Sequence, residues 1–182
     1  VLHQLDQTVK HKEQYTAVRK ERIRNLQQKL VQAKTIEERF WLSHDLFLQL
    51  WTCNTDSAFY YVEQERTLAE RSGNRLWKNI ALLDRADTYS QTGMYYMAMD
   101  QLENIDHAYL SSADSMRYFG VFSHIYELMA DYAPLTEDQE AFTKLKLAYR
   151  DSVVSLSPGD TLQYYFTEAD KIIASGEQLE EL

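Results

Sequence analysis

Five histidines, His3, His11, His44, His107 and His124, are the side chains best suited to bind a metal or move a proton. None of them forms an HxxxH or HExxH pair, so no helix presents two imidazoles on one face. A metal centre would need ligands converging from separate elements, and solvated or packed histidines are the simpler expectation. Ser43-His44-Asp45 contains the residue types of a hydrolytic triad. Consecutive helical residues point in different directions, however, and cannot form a proton relay. Cys53 is the only cysteine, which excludes an intrachain disulfide and a cysteine-rich zinc site. It falls at a turn. A following helix N-terminus could activate its thiolate, but a buried, inert cysteine is the plainer reading. There is no Gly-rich phosphate loop and no GxSxG elbow. No catalytic residue, metal or cofactor is therefore assigned, and the sequence reads as a non-enzyme.

Aromatic residues are the more informative group. Thirteen tyrosines, seven phenylalanines and three tryptophans include the doublets Tyr60-Tyr61, Tyr95-Tyr96 and Tyr164-Tyr165. Adjacent helical residues are about 100° apart, so one member of a doublet can pack while its neighbour faces outward. Most read as core spacers. Others could line a groove, where Tyr and Trp offer rigid contact area to a peptide.

The elements carrying these residues are helices. Five glycines and two prolines in 182 residues leave few turn signals. Residues 2–33 read as one polar helix, with Leu2, Leu5, Val9, Tyr15, Val18, Ile23, Leu26 and Leu30 on its apolar stripe. Thr35 with Glu38 predicts a capping box for the next helix, which runs through Phe40, Leu46, Phe47, Leu50 and Trp51. Asn54 to Asp56 supply N-cap oxygens for a helix containing Ala58, Tyr61, Val62 and Leu68. Gly73 and Gly93 bracket a helix over 75–91. Further helices are expected over 95–109, 113–132, 137–156 with Thr136 as cap, and 161–175. Seven or eight helices in antiparallel pairs, and no sheet, are expected.

Charge is uneven along the chain. The net charge is −9, yet residues 1–34 carry +5 and the remainder −14. The acidic body argues against direct nucleic-acid binding by this domain. The basic face of residues 10–34 reads most simply as the solvated side of an amphipathic helix, and contact with an anionic surface is the other reading. No run of 18 apolar residues is present.

Leu82, Ala86, Tyr89, Gly93, Ala98 and Leu102 form a repeat unit in which small residues allow close helix approach and large ones fill the gaps. The pattern resembles the tetratricopeptide repeat. Ala58 with Val62 forms a weaker copy 40 residues earlier, with Cys53 in place of the turn glycine. Ala141, Leu145 and Ala148 form another copy, and Tyr165, Ala169, Ile172 and Gly176 begin a last, incomplete one. The expected fold is all-α: tetratricopeptide-like antiparallel hairpins in a short right-handed α-solenoid. Residues 1–34 form an amphipathic helix packing on it, and residues 35–182 form the repeat domain.

A further resemblance rests on Leu5-Asp6-Gln7-Thr8 before the basic helix, on Asp56-Ser57-Ala58-Phe59-Tyr60-Tyr61, and on Tyr149-Arg150-Asp151-Ser152. These look like a family of Bacteroidetes membrane-bound proteins regarded as transcriptional regulators, with an N-terminal tetratricopeptide region, a membrane helix and a C-terminal effector part. The resemblance implies a sensor region on the periplasmic face of the inner membrane, attached through a segment absent from this chain; a cytoplasmic placement is the alternative. It implies binding of a protein or peptide partner or a small ligand. The alternative role is a scaffold for self-assembly, and a homodimer is one open arrangement. In tetratricopeptide proteins the first helix of each pair lines the concave groove. That geometry points to Phe47, Trp51, Asp87 and Gln91 as binding residues, with inter-helix packing as the competing role of Phe47 and Trp51.

Overall fold

A computed structural model describes residues 11–157 and residue 169. Seven α-helices and no strand occur among the described residues. They are α1 (Lys12–Gln32), α2 (Ile36–Leu50), α3 (Thr55–Ser72), α4 (Arg75–Gln91), α5 (Tyr95–Glu103), α6 (Ser112–Tyr132) and α7 (Thr136–Leu156). The chain forms two compact units, 1–84 and 85–182, with the boundary inside α4.

Local chemistry sets most helix ends. Thr35 Oγ1 accepts from the Glu38 amide while the Glu38 carboxylate accepts from the Thr35 amide, closing the expected capping box. Asn54 caps α3 through Ser57 N. Gly73 ends α3 at φ 66°, a conformation that costs glycine little and an L side chain more. Ser111 and Asp114 form a second capping box at α6. Two expectations need correction. The helix expected over 95–109 stops at Glu103, because the Asp106 carboxylate accepts from Ala108 N and starts a separate 3-10 turn, His107–Tyr109. Thr136 is the first residue of α7 rather than its cap; Leu135 stands at the cap position, without a side-chain bond.

In the first unit α2 and α3 form an antiparallel hairpin. Phe40, at the start of α2, packs with Leu68 and Ala69 at the end of α3, and with Trp77 and Ile80 of α4. Leu46, Phe47 and Leu50 pack with Ala58, Tyr61 and Val62. Ile23, Leu26 and Leu30 of α1 cover this second cluster, and Gln27 Nε2 donates to the Tyr61 hydroxyl at 3.1 Å. Phe40 and Trp77 stack at 4.6 Å.

The second unit contains the α6–α7 hairpin. Phe122 stacks on Tyr149 at 4.7 Å, Tyr126 on Phe142 at 6.2 Å, and Ser123 Oγ donates to the Lys146 carbonyl. Of the repeat residues, Ala86, Tyr89, Ala98 and Leu102 are buried and Leu82 is half-buried. Ala141, Leu145 and Ala148 are exposed, against the repeat expectation, because α7 turns Phe142, Lys146, Tyr149 and Val153 inward instead. Of the last copy, Ala169 is helical and exposed, while Tyr165, Ile172 and Gly176 lie outside the described residues, as do Leu2, Leu5 and Val9.

Candidate functional site

Three chemically active side chains meet inside the first unit. His44 comes from α2, Glu65 from α3 and Asp84 from α4. His44 Nδ1 lies 2.7 Å from Asp84 Oδ2 and 3.9 Å from Glu65 Oε2. The side chains of Glu65 and Asp84 are wholly buried, and that of His44 is 16 % exposed. Neither Glu65 oxygen has a hydrogen-bond partner.

Burial works against the His44 charge, but the hydrogen bond to Asp84 and the nearby Asp84 and Glu65 carboxyl groups outweigh it, and its pKa is raised to about 10. Burial first, and the Asp84 charge second, hold the Glu65 carboxyl well above the usual carboxylate range. The trio is thus a His44–Asp84 pair that favours the imidazolium, beside a Glu65 carboxyl whose protonated form is favoured. It is too enclosed to act on a large substrate. It can pin three helices together, or exchange its protons for a cation.

The sequence reading named His44 but found no partner for it, and it missed Glu65 and Asp84. A signal was present. Glu65 interrupts the apolar stripe Ala58, Tyr61, Val62, Leu68 and Ala69, and Asp84 lies among Ile80, Ala81, Leu83 and Ala86. An acid on a core face is expected to have a special environment.

A second feature of the first unit is an open cleft of about 630 Å³ between α1 and the α2–α3 turn. Tyr15, Ile23 and Leu50 give it apolar walls, and Lys12, Arg19 and Lys20 place three cations on it. No acidic side chain lines it among the described residues. Cys53 also lines it and is exposed, contrary to the expected burial.

The groove residues expected from the repeat take different places. Phe47 is fully buried in the α2–α3 core. Trp51 is half-buried against the same cluster, its ring 6.5 Å from that of Phe47. Asp87, in the second unit, accepts from Arg117 Nε at 2.7 Å and also from Nη2 of the same guanidinium. Gln91 is exposed, with its Nε2 3.5 Å from His124 Nε2. Phe47 and Trp51 therefore pack, whereas Asp87 and Gln91 stand along the seam between α4 and α6.

Hairpins with small buried residues at repeat spacing lead to a family. The SusR N-terminal TPR domain, TPR standing for tetratricopeptide repeat, matches residues 9–182. The chain belongs to that family. The match agrees with the resemblance to the tetratricopeptide region of a Bacteroidetes family and with the all-α hairpin fold. No curated protein and no solved structure gives a match. SusR-type TPR domains share the architecture of interaction scaffolds, which are typically non-catalytic and mediate contacts between proteins.

Proposed function

We propose that this domain is the receptor region of a membrane-bound transcriptional regulator, held on the periplasmic face, and that it recognises a ligand or peptide partner without catalysing a reaction. The observation that carries the reading is the match of residues 9–182 to a family described as an N-terminal TPR domain. The cleft on α1 supports recognition. Its size lies within the roughly 300–1,000 Å³ of ligand sites, and its mixture of Tyr15 and Ile23 with Lys12, Arg19 and Lys20 suits a partner with an apolar body and an anionic group. Gln91, exposed beside His124, offers a second polar contact point in the other unit. Asp87 orders the α4–α6 seam, and Phe47 and Trp51 keep α2 in place.

The competing reading is a scaffold for self-assembly, favoured by exposed aromatics such as Tyr60 and Tyr96. Alkaline phosphatase inserted after Leu182 of the full-length protein tests the placement. Active phosphatase supports export of the domain. Inactive phosphatase, with β-galactosidase active at the same position, overturns it. Sedimentation of the isolated domain then separates a monomeric receptor from a self-assembling scaffold.

A further inference from the structure

We propose that His44, Glu65 and Asp84 form a binding site for a divalent transition-metal ion, and that Zn²⁺ is the ion their donor set fits best. Nδ1 of His44 and one carboxylate oxygen each from Glu65 and Asp84 all lie within 4.8 Å of one another. They arrive from three successive helices, so the site exists only in the folded hairpins. The observation pointing to a ligand is Glu65. Its side chain is wholly buried, directed into the trio, and neither of its oxygens has a hydrogen-bond partner. A buried polar group left in this state is costly and calls for a missing partner.

The chemistry selects the class of ion. A neutral imidazole with two carboxylates contributes two negative charges, which a divalent cation cancels inside a low-dielectric core. One nitrogen and two oxygens suit Zn²⁺, whereas Ca²⁺ and Mg²⁺ favour six or more oxygen ligands. Ligand atoms around tetrahedral Zn²⁺ stand roughly 3.3 Å apart, given bonds of ~2.0 Å. The 2.7 Å His44–Asp84 contact must therefore open by about half an ångström, and the 3.9 Å His44–Glu65 separation must close by a similar amount. Ring contacts hold the imidazole from both sides: its centroid is 5.9 Å from Trp41 and 6.3 Å from Phe47. His44 is the one member of the trio with any exposure, 16 % of its side chain.

Binding exchanges protons for metal. Nδ1 of His44 bonds the ion as a neutral imidazole and Glu65 as a carboxylate, so any proton either group holds leaves to the buffer when the ion enters. Titration calorimetry of the chelator-treated domain with Zn²⁺ reads the stoichiometry. One ion per chain and a higher melting temperature with Zn²⁺ than without are expected. Glu65→Gln and Asp84→Asn should each weaken binding by more than about 100-fold, since each removes a direct ligand. No stoichiometric Zn²⁺ binding by the wild type overturns the site, and so does binding that survives both substitutions. Should either variant fail to fold, as judged by circular dichroism, X-ray absorption of the Zn²⁺-loaded wild type decides: a single imidazole nitrogen with oxygen ligands at ~2.0 Å supports the site, and any other donor set places the ion elsewhere.

Discussion

His44 Nδ1 on α2 meets Asp84 Oδ2 on α4 at 2.7 Å across 40 residues of sequence. Ala58 and Ala98 are separated by the same interval, so the pair joins equivalent positions of two successive repeats. In the second unit, Asp87 and Gln91 of α4 meet Arg117 and His124 of α6. In both units, polar side chains on the first helix of one hairpin are fastened to the first helix of the next.

The buried trio makes stability fall as pH rises. The folded His44 pKa is about 10 against the ordinary 6.5, so its contribution is complete below pH 6.5 and is lost as pH rises toward 10. Glu65 acts in the same direction: the unfolded chain ionises it near pH 4.5, while the fold keeps it protonated to higher pH. In chelator-treated protein, Glu65→Gln should lie within about 1 kcal/mol of wild type near pH 4.5, where both carry a neutral side chain. It should gain on wild type as pH rises above that. Urea denaturation between pH 4.5 and 9 measures the trend, and a variant that instead loses ground with rising pH would refute a protonated Glu65.

Asp84→Asn removes the anion that holds the His44 proton. A buried ion pair broken on one side costs about 3 kcal/mol or more. The loss should be largest near pH 6 and shrink as pH rises toward 10, because the wild type itself then loses the His44 proton. The same denaturation series checks it; a cost that does not change with pH would separate the stability effect from His44.

The Asp87–Arg117 pair should be coupled energetically. Both side chains are largely buried, and the guanidinium uses two nitrogens on one carboxylate oxygen. A double-mutant cycle with Asp87→Ala and Arg117→Ala is expected to give a coupling of roughly 1–2 kcal/mol. Additive losses would make the pair a surface contact of little weight.

Ala98 is fully buried on α5. Ala98→Leu should cost about 1–3 kcal/mol by overpacking. A melting temperature equal to that of wild type would contradict the register of the repeat.

The sequence made this packing legible and left the trio hidden, for one physical reason. Apolar periodicity, caps such as Thr35–Glu38 and the turn glycines are local signals, each written within a few residues. Ala86, Ala98 and Leu102 could therefore be assigned to the core in advance. His44, Glu65 and Asp84 are related only through the stacking of three helices, so spacing within one helix says nothing of their meeting. Phe47 took a core place instead of a groove place for a related reason. Repeat geometry gives the helix on which a residue lies, but which face turns outward depends on local packing, and Phe47 is claimed by the α2–α3 core. Ala141, Leu145 and Ala148 show the same limit, since the aromatic stack of Phe122, Tyr126 and Tyr149 sets the rotation of α7.

The receptor reading is tested most directly by reversing the charge of the α1 cleft in the intact regulator. Lys12→Glu, Arg19→Glu and Lys20→Glu lie on an exposed helix face, and the triple variant should keep the fold. Genome-wide transcript levels would be compared in cells carrying the wild-type gene, the gene deletion and the triple variant, at matched protein abundance and under growth conditions in which the deletion changes transcription. A receptor that recognises its partner in this cleft predicts that the triple variant reproduces the deletion. A transcript profile indistinguishable from wild type would contradict recognition at the cleft.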